Sequence, residues 1–103
     1  MRVKFSDSYY EDLYEGIAVK GKPRFPPEVI RNFFKKVPLL EQAEKSKDLY
    51  QYRSLNFEEL QGDKKGTYSI RLNKQYRLEF RLENEEVTLL EIVIVERISK
   101  HYE

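Results

Sequence analysis

The strictest constraint on this chain is an alternation that begins two thirds of the way along it. Tyr68, Ile70 and Leu72 alternate with Ser69, Arg71 and Asn73, and then Tyr76, Leu78, Phe80 and Leu82 alternate with Arg77, Glu79 and Arg81. A period of two sends one set of side chains to each face, so the pattern predicts two half-buried strands in a hairpin. Keeping Leu72 and Leu78 on one face with the shortest turn, around Lys74, sets Arg71 directly opposite Arg77. Like charges in that position destabilise a hairpin. On the face of Arg71, Arg77 and Arg81 only Glu79 is available to neutralise them, so an anion is the natural partner, and paired guanidinium groups match phosphate oxygens. The competing arrangement has Arg77 paired with Glu79, or with distant acids such as Glu91, across the sheet. On either reading Arg77 faces outward and contributes nothing to the core.

The remaining elements follow from the same kind of pattern. Val3 and Phe5 alternate with basic residues in a short first strand, Arg2 to Phe5. Ser6 or Ser8 then caps a helix, Ser8 and Glu11 having capping-box spacing. Tyr9, Tyr10, Leu13, Tyr14 and Ile17 form its apolar face, and the helix ends before Gly21. Pro26-Pro27 opens a second helix with Pro27 in its first turn. Val29, Ile30, Phe33, Phe34 and Val37 make its stripe, and Pro38 predicts a kink or a break. Val87 to Glu96 is rich in Val and Ile and fits a central strand covered on both faces. The expected fold class is therefore α+β, an N-terminal strand and two helices packed on a three- to four-stranded antiparallel sheet. At 103 residues the chain is one domain, spanning 1–103. A chain of this size hides roughly 60–70% of its surface on folding, which leaves a shallow groove as the expected site.

Charge is unevenly placed although the net value is only +1. Lys20 to Lys36 carries six basic residues against one acid, and Gln61 to Leu82 carries six against two. If the two segments meet they form a positive face that attracts phosphate backbones, the alternative being an ordinary solvated surface. Polar strand faces are also surfaces on which single-stranded RNA lies. Gln61-Gly-Asp-Lys-Lys-Gly66 is a tight basic loop in which Gly62 and Gly66 permit positive φ, so its amides and the amines of Lys64 and Lys65 can approach a phosphate; it reads equally well as an ordinary turn.

With no cysteine, disulfides, zinc ribbons and cysteine nucleophiles are excluded, and the single histidine, His101, excludes sites built from several imidazoles. No metal or other cofactor is expected. Met1 to Ser6 has no apolar run of signal length and the longest apolar stretch, Ile92 to Val95, is far short of a membrane span; the expected location is cytoplasmic, with no membrane partner. His101 and Tyr102, at the C-terminal end of the sequence, are candidates to move protons near neutral pH.

The stretch Leu60-Gln-Gly-Asp-Lys-Lys-Gly-Thr-Tyr-Ser-Ile-Arg-Leu-Asn-Lys-Gln-Tyr-Arg-Leu-Glu-Phe80 resembles the signature of the HigB toxins, the plasmid-maintenance killer branch of the RelE/ParE superfamily. The order of elements, the Gly-Lys-Pro entry to the second helix and the closing apolar strand extend the resemblance over nearly the whole chain. It implies a RelE-like fold and a cognate HigA-like helix-turn-helix antitoxin. The implied activity is metal-independent endoribonuclease action on mRNA in the A site of the translating ribosome. Arg77 matches the arginine that contacts the scissile phosphate, and Arg71 matches a functional arginine of RelE relatives. The resemblance implies backbone positioning by Lys64 and Lys65, further RNA contacts by Lys74 and Arg81, and proton transfer by His101 and Tyr102. Two departures stand out: Gln61 occupies a position where HigB toxins commonly have lysine, and the chain closes on Ser99-Lys100-His101-Tyr102 rather than Asp-Tyr-His. The alternatives are a ParE-like poison that binds DNA gyrase, or an inactive homologue that only binds its antitoxin.

Overall fold

Secondary structure forms where the apolar period is matched by local capping. A computed structural model describes residues 1–17 and 21–100. Strand β1 (Arg2–Phe5) leads into helix α1 (Ser8–Glu15) and helix α2 (Pro27–Gln42). Two 3-10 turns follow, Ser46–Gln51 and Arg53–Leu55, before β2 (Glu58–Glu59), a third turn at Gly62–Lys64, β3 (Thr67–Arg71), β4 (Tyr76–Asn84) and β5 (Glu91–Lys100). The cap of α1 is Asp7, not a serine: its extended backbone leaves the carboxylate free to accept from the Tyr9 N–H at 2.9 Å. Gly16, at φ +77°, ends α1 by entering the left-handed region, and its N–H donates to the Asp12 and Leu13 carbonyls.

Helix α2 opens at Pro27 as expected but runs unbroken through Pro38. Val29, Phe33, Val37 and Leu40 are fully buried on both sides of the proline, and this packing holds the helix together where one backbone bond is missing. The carbonyl that loses its donor belongs to Phe34, which lies on the exposed side. The N-terminal ammonium of Met1 donates to the Leu40, Glu41 and Ala43 carbonyls, so a cation satisfies the end of the helix.

The sheet has five strands in the order β1-β5-β4-β3-β2. Strands β2 to β5 form the expected antiparallel sheet, and β1 extends it at one edge, parallel to β5, with Phe5 beside Val95. Strand β5 is an interior strand, between β1 and β4, and it occupies residues 91–100 rather than 87–96, because Val87, Leu89 and Leu90 fall in the exposed β4–β5 turn. Opposite Glu79/Phe80 the register slips, so that Glu79 faces Arg97 while Phe80 faces Val95. Glu96 is the additional residue of a bulge. Ile70, Leu72, Leu78, Phe80, Val93, Val95 and Ile98 form one core with Val29, Phe33, Val37 and Leu40 of α2. Ser69, Arg71, Arg77, Glu79 and Arg97 belong to the alternating set on the other face of the sheet.

Candidate nucleic-acid interface and active site

Arg71 and Arg77 are cross-strand partners at the end of the β3–β4 hairpin, as the alternation requires. Asn73 closes the turn, its Oδ1 accepting from the Gln75 and Tyr76 N–H groups at 2.8 Å. The Arg71 Nε donates to the Asn73 carbonyl at 3.2 Å. Turn and arginine are thus locked together.

Arg77 faces away from the core as expected, but it corrects the expectation that it contributes nothing to the packing, for it is only 6% exposed. Its Nε donates to Ser69 Oγ at 2.7 Å and its Nη2 to the Asn56 carbonyl at 2.6 Å. Nη2 also lies 3.5 Å from Glu58 Oε1, a half-exposed carboxylate at the rim. Burial pushes the Arg77 pKa down and the neighbouring Arg71 adds to this, while Glu58 opposes it. A guanidinium costly to bury is therefore held by hydrogen bonds to Ser69 and Asn56 and by the charge of Glu58.

The pairings anticipated for Arg77 fall elsewhere. Glu79 pairs with Lys64 at 3.1 Å and with Arg97 at 2.9 Å, and Glu91 accepts from the Ser46 hydroxyl and N–H. Burial raises the pKa of Glu79, but bonds from Ser99, Lys64 and Arg97 outweigh it and hold the carboxyl below its usual value. Arg81 pairs with Glu83 at 3.0 Å and with Glu96 at 3.1 Å. Two zones result on one face: a neutralised network through Lys64, Glu79, Arg97, Glu96 and Arg81, and a cationic zone around Arg71 and Arg77 with Glu58 at its edge. Lys64, Lys65, Arg81 and the turn residue Lys74 are all exposed, and of these Lys64 and Arg81 are ion-paired within the first zone.

The basic loop has the backbone its glycines permit, with Gly62 at φ +70° and Gly66 at φ +93°. Two of its amides are spent internally, however, since the Gly66 N–H donates to Glu59 Oε2 and the Lys65 N–H to the Gly62 carbonyl. His101 and Tyr102 lie outside the described residues. Lys36 was hidden in the sequence within the basic stretch of α2; its Nζ donates to the Arg71 carbonyl at 2.6 Å. Glu58 was hidden because its contact with Arg77 spans two strands, and no period in the sequence marks it. No group of three potential metal ligands occurs among the described residues, and no helix there is long and apolar enough to cross a membrane. The apolar concavity of about 460 Å³ between α1 and the start of α2, walled by Leu13, Phe25 and Ile30, is lined by neither Arg71 nor Arg77.

The backbone has the fold of the RelE-type toxins. It superposes on YafQ from E. coli strain BL21(DE3) with a TM-score of 0.56, at 14% identity, covering 97% of this chain and 93% of that one. For the YoeB/ParE toxin from Agrobacterium tumefaciens the TM-score is 0.54, at 16% identity, covering 99% and 100%. A third likeness, to the YoeB-YefM complex from Staphylococcus aureus, has a TM-score of 0.52 at 18% identity and covers 99% and 98%. The family follows from sequence. The model of the RelE-like toxin of type II toxin-antitoxin system HigB matches residues 3–92. Toxin HigB-1 of Vibrio cholerae serotype O1 (strain ATCC 39315 / El Tor Inaba N16961) is 39% identical over 82 residues, 79% of this chain and 83% of its own length. The chain belongs to the HigB-like family of RelE-like toxins of type II toxin-antitoxin systems.

Proposed function

We propose that this toxin is a metal-independent endoribonuclease that cuts mRNA on the ribosome. The observation that carries the reading is the cross-strand pair Arg71/Arg77, with Arg77 fixed by Ser69 and Asn56 beside the half-buried Arg71. Attack of a ribose 2′-oxygen on the adjacent phosphorus breaks the bond to the 5′-oxygen and passes through a phosphorane with added negative charge. Fixed cations at that point lower the barrier more than mobile ones, because they need not reorganise as the charge grows. Arg71 and Arg77 take this role. Glu58, half-exposed and 3.5 Å from Arg77, is an acceptor for the 2′-hydroxyl proton. His101 and Tyr102 supply the proton for the leaving 5′-oxygen.

Lys65 and Lys74 are exposed cations for the flanking backbone; Lys64 and Arg81 reach RNA only by sharing their charge with Glu79, Glu83 and Glu96. The two arginines lie on the sheet face away from the core, which supports a site that a larger partner completes, the role of the ribosome. Membership of a type II system supports a protein antitoxin as the second partner, one that presents acidic groups to the cationic zone around Arg71 and Arg77. Mapping transcript 5′ ends after induced expression tests the reading. New ends confined to translated regions are expected, and intact transcripts with failing DNA replication would replace it with the gyrase-poison reading.

A further inference from the structure

The cationic zone contains a third positive group whose place in the fold is not explained by packing. Lys36 reaches from α2 past the end of β3, where its Nζ donates to the Arg71 carbonyl at 2.6 Å and to the Ser54 carbonyl at 3.3 Å. We propose that Lys36 binds the RNA phosphodiester directly, as a third cation beside Arg71 and Arg77. The inference rests on the RNA-cleaving function proposed above and adds a residue to its site.

Three observations support it. First, the tie between α2 and the end of β3 does not need a charge. One turn earlier Asn32, a neutral residue, donates to the Leu72 carbonyl at 2.6 Å and already makes that link. Second, one short turn aims both cations. The Ser54 carbonyl accepts from Lys36, while the carbonyl of Asn56, a non-glycine residue at φ +43°, accepts from Arg77. An ammonium has three N–H donors, and the two carbonyls leave the third to point elsewhere. Third, the charge is held at a cost: burial, then Arg71, then Arg77 push the Lys36 pKa down, and no carboxylate of a described residue forms an ion pair with it. An anion set among the three groups relieves that repulsion at once.

The test is single-turnover cleavage of mRNA on programmed ribosomes with toxin in excess, repeated over a range of salt concentrations. Lys36→Gln keeps a donor for the two carbonyls without the charge, and Lys36→Met keeps the length of the stem. Both should fold, raise the half-saturating toxin concentration about tenfold, and make its logarithmic salt dependence shallower by about one. Lys36→Arg should restore the slope. A role confined to packing would lower the melting temperature and leave the salt slope of either variant unchanged, which overturns the assignment. If the parent protein cuts no mRNA, the enzymatic reading falls and this inference with it. A parent that cuts, beside a Gln variant with parental half-saturation and slope, overturns Lys36 alone.

Discussion

At the scale of the residue, Arg77 lies on the sheet face away from the core and is nevertheless buried. Side-chain period reports direction, and burial depends on what the loop before β2 brings over the strand, here the Asn56 carbonyl and Glu58. Lys36 and Glu58 were illegible for the same reason, since each joins the site through a contact that sequence distance conceals. Arg77→Ala is therefore expected to do two things. It should lower stability by about 1–3 kcal/mol by stranding Ser69 and the Asn56 carbonyl. It should also cut cleavage on the order of a hundredfold or more; chemical denaturation and single-turnover cleavage measure the two separately. Glu79 gives a pH prediction. Its folded pKa lies below the ordinary 4.5, so the stability it contributes is fully present above that value and is lost as the pH falls through the folded pKa. Glu79→Gln should be less stable than the parent at neutral pH, with the difference shrinking below pH 4.5, as melting temperatures over an acid series will show.

At the scale of the element, the hairpin, both helices and the first strand were readable because each has a strong period. What escaped were features set by tertiary packing. The parallel pairing of β1 with β5 has no local sign, and the bulge at Glu96 places consecutive residues Glu96 and Arg97 in one ion-pair network only because Glu79 and Arg81 lie opposite. The apolar run from Val87 has the composition of a strand, yet Leu89 adopts φ +59° in a turn closed by the Glu85 N–H to Leu90 carbonyl bond. Pro38 is the clearest case of packing prevailing over local preference. Pro38→Ala restores a donor for the Phe34 carbonyl and should raise stability by about 1–2 kcal/mol, less than the full helix penalty because the partly buried ring is lost. Thermal unfolding of the variant checks it, and a lower melting temperature would show that the ring's packing matters more than the missing bond.

At the scale of the molecule, one face of the sheet carries the core and the other divides into a neutralised network and a cationic zone. The family was legible because its signature lies on the hairpin that builds that zone, so motif and mechanism share the same residues. The reaction is less legible, because no period in the sequence marks the loop contacts that Asn56 and Glu58 make with Arg77. The most direct measurement is cleavage by the purified toxin of one mRNA, free and bound to programmed ribosomes, with Arg77→Ala alongside. Cleavage by the parent on ribosomes alone, absent for free mRNA and lost in the variant, is the predicted result. Equal cutting of free and ribosome-bound mRNA, or parental cutting by Arg77→Ala, would contradict it.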